Sequence, residues 1–502
     1  MQKILLLFIL FFIGAHSNAQ PLAYNEKHRP QFHFSPPAHW MNDPNGMVYY
    51  KGEYHLFYQY YPDSTVWGPM HWGHAVTKDL IHWQHLPVAL YPDPLGYIFS
   101  GSVVVDKNNT SGFQSGDESP LVAIFTYHNM NGEKKGRNDF QTQGIAFSSD
   151  KGRSWHKYAN NPVIKNPGIK DFRDPKVMYH EASEQWILTM AVANKVQFYS
   201  SPDLKKWKLA GEFGVHDGNH GGVWECPDLF PLSSKDGKSK KWVLLVSVGS
   251  GAPNGGSGTQ YFIGDFNGKT FTNSNPPQTT LWLDYGCDNY AGVTWSNSPG
   301  SRHLFLGWMS NWQYAQKVPT EKWRSAMTLP RELSLNKITA GYRVVTKPAR
   351  ECELLRTKSD PVNFLSQKEH RYSLGELVVD FDITRSDDFG IELRNSVNES
   401  LRIGYNRSNN QFYINRTNCK DKSFSKEFPA VHTAPRTAKG KQLKMHLYID
   451  RSSVELFADD GSVVMTDIFF PAEDFSLIGA YAKNGGSAVT GGKLYKLQSA
   501  WH

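Results

Sequence analysis

Short runs of β-branched and aromatic residues alternate with polar ones throughout this chain, each closed by Gly, Asn, Asp or Pro, and this pattern limits the fold more than any other feature. Glu53 to Tyr60, Trp242 to Val248, His303 to Trp308 and Lys444 to Phe457 are examples. A period of two sends successive side chains to opposite faces of a strand, one face to a core and one to water. Beyond the first twenty residues no long stretch carries the 3.6-residue period of a helix, so the chain is predicted to be all-β.

A weak internal repeat narrows the architecture. Gly73 to Asp79 runs on to Trp83, Gly144 to Asp150 runs on to Trp155, and Val196 to Asp203 runs on to Trp207. Each is a strand, a polar turn containing Asp, then Trp. Such a unit is what a β-propeller produces, because each blade is a small sheet that buries its faces only against its neighbours. After Pro330-Arg331-Glu332-Leu333 the texture changes, and from about Leu377 evenly spaced alternating strands with turns such as Asp459-Asp460-Gly461 read as a β-sandwich. A chain of 502 residues exceeds what one core usually holds, so two domains are expected. The expected division is a signal peptide at 1–19, a propeller at 27–340, a connection at 341–367 and a sandwich at 368–502.

The leader rests on Lys3, the apolar run Ile4 to Ile13 and the small residues Ser17-Asn18-Ala19, which together read as a cleaved secretory signal. That run is too short to span a bilayer, and no later stretch approaches the length needed. A periplasmic or extracellular protein is expected, as a monomer or homodimer with no membrane span. Cys226, Cys287, Cys352 and Cys419 are too few and too scattered for a disulfide framework or a zinc site, so free thiols are expected. The 54 basic residues barely exceed the 47 acidic ones, and the one dense basic run, Lys235 to Lys241, reads as a solvated loop; nucleic acid is not an expected partner. With 15 Trp and 24 Tyr the chain holds more aromatic surface than a core needs, which suits a protein that grips flat amphipathic ligands such as sugars.

Three carboxylates stand in turn-rich, aromatic settings instead of charge runs. Asp43 lies in Trp40-Met41-Asn42-Asp43-Pro44-Asn45-Gly46, where proline and glycine hold the backbone and aim the side chain. Taken alone, that segment is simply a good turn. Asp174 lies in Arg173-Asp174-Pro175, beside a guanidinium able to hold neighbouring oxygens; a surface ion pair is the plainer alternative. Glu225 lies in Trp224-Glu225-Cys226-Pro227, and in an extended strand it faces away from Trp224 and Cys226, which would pack inward. By itself it could equally be a solvent-facing strand residue.

Taken together and in this order, the three segments resemble glycoside hydrolase family 32, the invertases, inulinases, levanases and other β-fructosidases, over nearly the whole mature length. Phe57-Tyr58-Gln59, Trp67-Gly68, Phe99-Ser100-Gly101 and Gly307-Trp308 through Trp312 add to the match. The resemblance implies a five-bladed β-propeller with the site in its central funnel, followed by a C-terminal β-sandwich. It also implies roles: Asp43 as nucleophile, Glu225 as general acid/base, and Asp174 as the residue holding fructosyl hydroxyls. Trp40, Asn42, Gln59, Trp67, Phe99, Ser100, Arg173, Trp308 and Trp312 match positions around the sugar. Two carboxyls on opposite sides of a glycosidic bond suffice for the retaining route, so no metal or organic cofactor is required, and the expected partner is a fructan or sucrose. The two carboxyls are expected at a separation of roughly 5 to 5.5 Å.

Other readings are weaker. Ser148 to Trp155 fits a turn common in sialidase propellers, but that turn is structural and the arginine cluster and Tyr-Glu pair of a sialidase are not found. A sugar-binding protein without catalysis would not be expected to keep all three carboxylates. Transfer to a second sugar, and exo against endo action, are left open, as is linkage preference.

Overall fold

The computed structural model describes residues 24–234, 237–483 and 487–501. The expected signal peptide at 1–19 lies outside these residues, as do Lys235 and Asp236 of the basic run. Lys240 and Lys241, which close that run, open a strand and are not loop. Among the described residues the one α-helix is Met130–Lys134, and no helix is long and apolar enough to cross a membrane.

Five antiparallel sheets follow one another along the chain, each beginning with its innermost strand: His39–Tyr50, Tyr97–Val105, Phe172–His180, Trp224–Ser233 and Tyr290–Thr294. Each inner strand packs against the next, and the fifth returns to the first, so the sheets close a ring of five blades. The ring is fastened by Trp323–Arg324, which leaves the fifth blade to pair in parallel with His39 and Trp40 of the first. The fifth sheet includes the strand Gly341–Pro348, paired along its length with Arg331–Ile338. The sheet therefore runs past residue 340, where the connection was expected to start.

The repeat in the sequence is the hairpin that leaves the third strand of a blade. The Asp79 carboxylate accepts from the backbone N–H groups of Ile81 and His82, Asp150 from that of Ser154, and Asp203 from those of Lys205 and Lys206. Each carboxylate also takes a hydroxyl from the residue two before it, Thr77, Ser148 or Ser201. The turn is thereby set by local side-chain-to-backbone bonds, and the partly buried Trp that follows immediately precedes the outer strand. The fourth blade has a copy the sequence reading missed, with Asn267 accepting from Lys269 and Thr270 and Phe271 in place of Trp.

Beyond the propeller, two six-stranded antiparallel sheets face each other. Leu377, Val379 and Phe381 on one strand, and Phe389, Ile391 and Leu393 on another, are fully buried at alternate positions. Burying each such side chain contributes about 1.5–3 kcal/mol, which pins the register, since a one-residue slip would expose them all. All four cysteines are buried and free.

A buried ionic network ties the sandwich to the propeller. His33 lies between Asp450 at 2.8 Å and Glu455 at 2.9 Å, and Arg331 binds both Glu455 and, at 2.8 Å, Asp284. Arg416 reaches back to Asp288 at 2.7 Å. Charges taken out of water at such cost persist only when fully paired, so the network fixes one docking geometry.

Candidate active site

All five inner strands break register at the same level. The breaks fall between Asn42 and Pro44, Phe99 and Gly101, Arg173 and Lys176, Glu225 and Asp228, and Tyr290 and Val293. A bulge inserts an unpaired residue and turns its side chain out of the regular alternation. Here the bulges turn Asp43, Ser100, Asp174 and Cys226 toward the propeller axis.

Asp43 is held from below. Trp40 Nε1 donates to Asn42 Oδ1 at 2.7 Å, and Ser100 Oγ donates to Asp43 Oδ2 at 3.4 Å. Asp43 Oδ1 is buried and has no partner among the described residues, an acceptor left open for something else. Burial pushes the Asp43 carboxyl up to about 7; the Asn42 amide works against this, while Glu225 and Asp174 add to it.

Asp174 adopts a left-handed backbone, φ 63°, at the head of its strand. Its N–H donates to Thr126 Oγ1 at 3.0 Å, and Thr126 in turn donates to Gln143 at 2.7 Å, so the second blade anchors the third. Asp174 Oδ2 accepts the N–H of Cys226 at 3.0 Å. Burial pushes Asp174 up to about 6, with Arg173 opposing and Glu225 assisting.

Glu225 is partly exposed at the funnel floor and takes two donors, Arg173 Nη2 on Oε1 at 3.0 Å and the phenol of Tyr290 on Oε2. Arg173 Nη1 also binds Asp171 at 2.6 Å, so the planar fork spans two carboxylates and orients both. Burial alone would lower the guanidinium, but Glu225, Asp174 and Asp171 hold it above its ordinary value.

Cys226 corrects the expectation drawn from simple alternation. Its φ of 46° breaks the extended backbone, and Sγ lies 3.7 Å from both Asp43 Oδ2 and Asp174 Oδ2 instead of packing away from the site. Burial first, then the carboxylates around it, push the thiol well up, so it sits there as a neutral group between two acids. Tyr290, Thr126 and Asp171 are the other site residues that sequence reasoning missed.

Of the expected sugar-lining residues, Asn42, Gln59 and Ser100 lie buried around Asp43, with Gln59 paired to Asn42 across the strands and its Nε2 unpartnered. Trp67 and Phe99 are half-buried and meet edge to face at 6.1 Å. Trp40 and Trp308 depart from the expectation, since both are fully buried and neither offers a ring to solvent. They pack on Trp312, at 5.9 and 4.9 Å between ring centroids, and Trp312 is the partly exposed member of the trio. The reason is geometric: Trp40 and Trp308 sit within paired strands, whereas Trp312 stands beyond the strand end.

With that geometry in hand, known proteins bear on the chain directly. The glycosyl hydrolases family 32 N-terminal domain matches residues 33–348, and the family's C-terminal domain matches 350–498. A levanase of Bacillus subtilis is 49% identical over 99% of this chain and 75% of its own length, and an extracellular exo-inulinase of Aspergillus awamori is 38% identical over 95% and 96%. The crystal structure of the Aspergillus awamori exo-inulinase superposes with a TM-score of 0.88 at 37% identity, over 95% of this chain and 100% of that one. A β-fructofuranosidase from Schwanniomyces occidentalis, complexed with fructosyl-erythritol, gives 0.84 at 32% identity, over 95% and 99%. A five-bladed propeller with three acids at its axis, joined to a β-sandwich and matched by both family domains, makes this chain a member of glycoside hydrolase family 32.

Proposed function

We propose that the protein is a secreted, retaining β-fructofuranosidase acting on fructans and on sucrose, with Asp43 as nucleophile and Glu225 as general acid/base. The observation that carries this reading is the convergence of four inner strands on one point: Cys226 touches Asp43 and Asp174, and its neighbour Glu225 is held by Arg173 and Tyr290. The levanase and exo-inulinase relatives support the substrate class, and the extracellular exo-inulinase, with the leader-like residues 1–19, supports secretion.

In this scheme the open Oδ1 of Asp43 attacks the anomeric carbon of a terminal fructosyl unit while Glu225 gives its proton to the departing oxygen. The bond to the leaving sugar breaks as the Asp43–fructosyl ester forms. Glu225, now ionised, takes a proton from water, and the hydroxide displaces the ester to release fructose and restore both acids. Asp174 accepts hydrogen bonds from ring hydroxyls, which strengthen as the ring flattens toward an oxocarbenium ion. Hydroxyl donors on the bound sugar also favour the ionised form of Asp43, offsetting its burial. A funnel closed at its floor favours exo release of single fructose units.

Product chromatography after incubation with sucrose, inulin and levan tests this reading, with Asp43→Asn as control. Free fructose from the parent alone is the expected result, and first-formed fructose of retained anomeric configuration supports the covalent route. Oligomers as first products reassign the action as endo, and no turnover of any of the three removes the reading.

A further inference from the structure

We propose that the outer face of the sandwich sheet carrying Asp388–Arg394, Ser400–Asn406, Gln411–Asn418 and Val431–Pro435 is a second glycan-binding platform, one that holds an extended neutral polysaccharide leading to the funnel. The polymer is named as fructan on the strength of the function proposed above.

Polar side chains on the free face of an antiparallel sheet are ordinary, but this face is built differently. One cross-strand row reads Tyr481, Gly390, Gly404, Tyr413, Thr433. Gly404 forms the floor on which the two tyrosines meet. A Cβ built on Gly404 would fall 2.6 Å from Tyr413 Cζ and 2.1 Å from the Tyr481 hydroxyl, so only glycine lets the rings meet above it. The two hydroxyls contact each other, and Tyr413 also donates to Asp388 Oδ1 at 2.6 Å, so the ring is fixed instead of free to swing.

Around this floor is a concavity of about 300 Å³ lined by Asp388, Arg402, Asn406, Gln411, Tyr413 and Asn415, at the lower end of the range ligand pockets occupy. The amide nitrogens of Asn406, Gln411 and Asn415 make no hydrogen bond to other described residues. The charges, by contrast, are paired: Arg402 Nε binds Glu392 at 2.7 Å and its guanidinium lies 5.1 Å over the Tyr481 ring. A fixed aromatic ring, Tyr413, beside unpaired amide donors, with the charges neutralised, matches a chain of uncharged hydroxyl-bearing rings better than an anion or an apolar peptide.

One loop links the platform to the catalytic funnel. Thr433, at the edge of the row, exchanges two bonds with Asn254, from its N–H to Oδ1 and from Asn254 Nδ2 to its carbonyl, each 2.9 Å. Asn254 belongs to the loop that begins at Gly249, where a Cβ would stand 3.7 Å from Glu225 Oε2. Five residues span at most about 18 Å and one strand spacing is about 4.8 Å. Tyr413 therefore stands no farther from the funnel than a bound oligomer of several sugars can extend.

The test uses the full chain with Tyr413→Ala, and separately with the exposed-side pair Gln411→Ala and Asn415→Ala, assayed on long-chain levan or inulin and on the shortest fructoside the parent cleaves. The expected result is a KM for polymer raised at least about tenfold with kcat kept, and kinetics on the short substrate unchanged, as for loss of a tethered second contact. In the Asp43→Asn background, retardation by levan in a native gel should weaken in parallel. Polymer KM within about twofold of the parent in both variants overturns the platform while leaving the fructosidase reading intact. A parent that cleaves no fructan overturns that reading and the polymer named here with it.

Discussion

Arg173 and Glu225 meet across two neighbouring blades, with Nη2 of the guanidinium 3.0 Å from Oε1 of the carboxylate. Because Nη1 is at the same time bound to Asp171, the fork cannot rotate, and it holds Glu225 in one rotamer. Arg173→Lys keeps the charge but has no fork. We expect kcat/KM to fall about 100-fold or more with little change in melting temperature, since a point charge cannot serve both carboxylates. Steady-state kinetics and calorimetry on the same sample check this; parental kcat/KM would show that the fork positions nothing.

Asp43 is pushed up to about 7 and Asp174 to about 6, both chiefly by burial, from an ordinary value of 3.8. A folded-state value above the unfolded one means that the folded protein holds the proton more tightly. The associated stability is present below about pH 4 and is lost as pH rises through about 7. Asp43→Asn, neutral at every pH, is therefore expected to melt higher than the parent at about pH 8, by roughly 1–3 kcal/mol, and to match it near pH 4. A variant less stable than the parent at pH 8 contradicts this. Calorimetry across that range checks it. The same protonation should make kcat/KM fall as pH drops below about 7, an apparent value shared by the coupled acids.

His33 predicts a slope of the same sign in a higher pH window. Burial alone would lower its imidazole, but Asp450 and Glu455 outweigh it and push it up to about 9 from 6.5. Its contribution is complete below pH 6.5 and is lost as pH rises through about 9, so the melting temperature should decline across that window. His33→Gln should melt lower at neutral pH, by about 3 kcal/mol, and show a flatter decline. Melting curves at half-unit pH intervals read this, and an unchanged slope in the variant would assign the decline elsewhere.

Gly46 has φ +58°, and a Cβ there would stand 2.8 Å from Phe57 Cδ2 and 3.0 Å from Trp72 Cζ3. Gly46→Ala should cost about 1–3 kcal/mol in urea denaturation through backbone strain and overpacking. It should also lower kcat, because it shifts the strand that aims Asp43. Parental values of both would show that the strand absorbs the change.

The parts of the site that could be read from sequence are those fixed by their own neighbours. Asp43, Asp174 and Glu225 each stand one or two residues before a proline, in short segments whose local chemistry announces a held turn. Most sandwich strands could be read for a similar reason: Phe389 to Leu393 lies inside the observed Asp388–Arg394 because strict alternation marks a two-faced strand. Tyr290 was invisible, since what makes it matter is a carboxylate 65 residues away in sequence. Cys226 was misread because alternation holds only while the backbone stays extended. Gly341–Pro348 reads as connection because its three central residues, Val344, Val345 and Thr346, are buried in succession where the last blade meets the sandwich, which removes the period of two. The network of His33, Asp284, Arg331 and Glu455 joins positions scattered over the chain, and none carries a local sign of its partners.

The parallel pairing of His39 and Trp40 with Trp323 and Arg324 also governs the order of events during synthesis. The strand bearing Asp43 leaves the ribosome before the other four inner strands, yet His39 and Trp40 stay unpaired on that edge until nearly the whole propeller has been translated. Throughout that interval the nascent first blade presents open backbone groups to any other strand, a hazard for an incomplete polypeptide. Closure then completes the barrier to misassembly and the catalytic floor in a single late step, so a stalled or truncated translation product lacking Trp323 would hold the Asp43 segment without holding it in place.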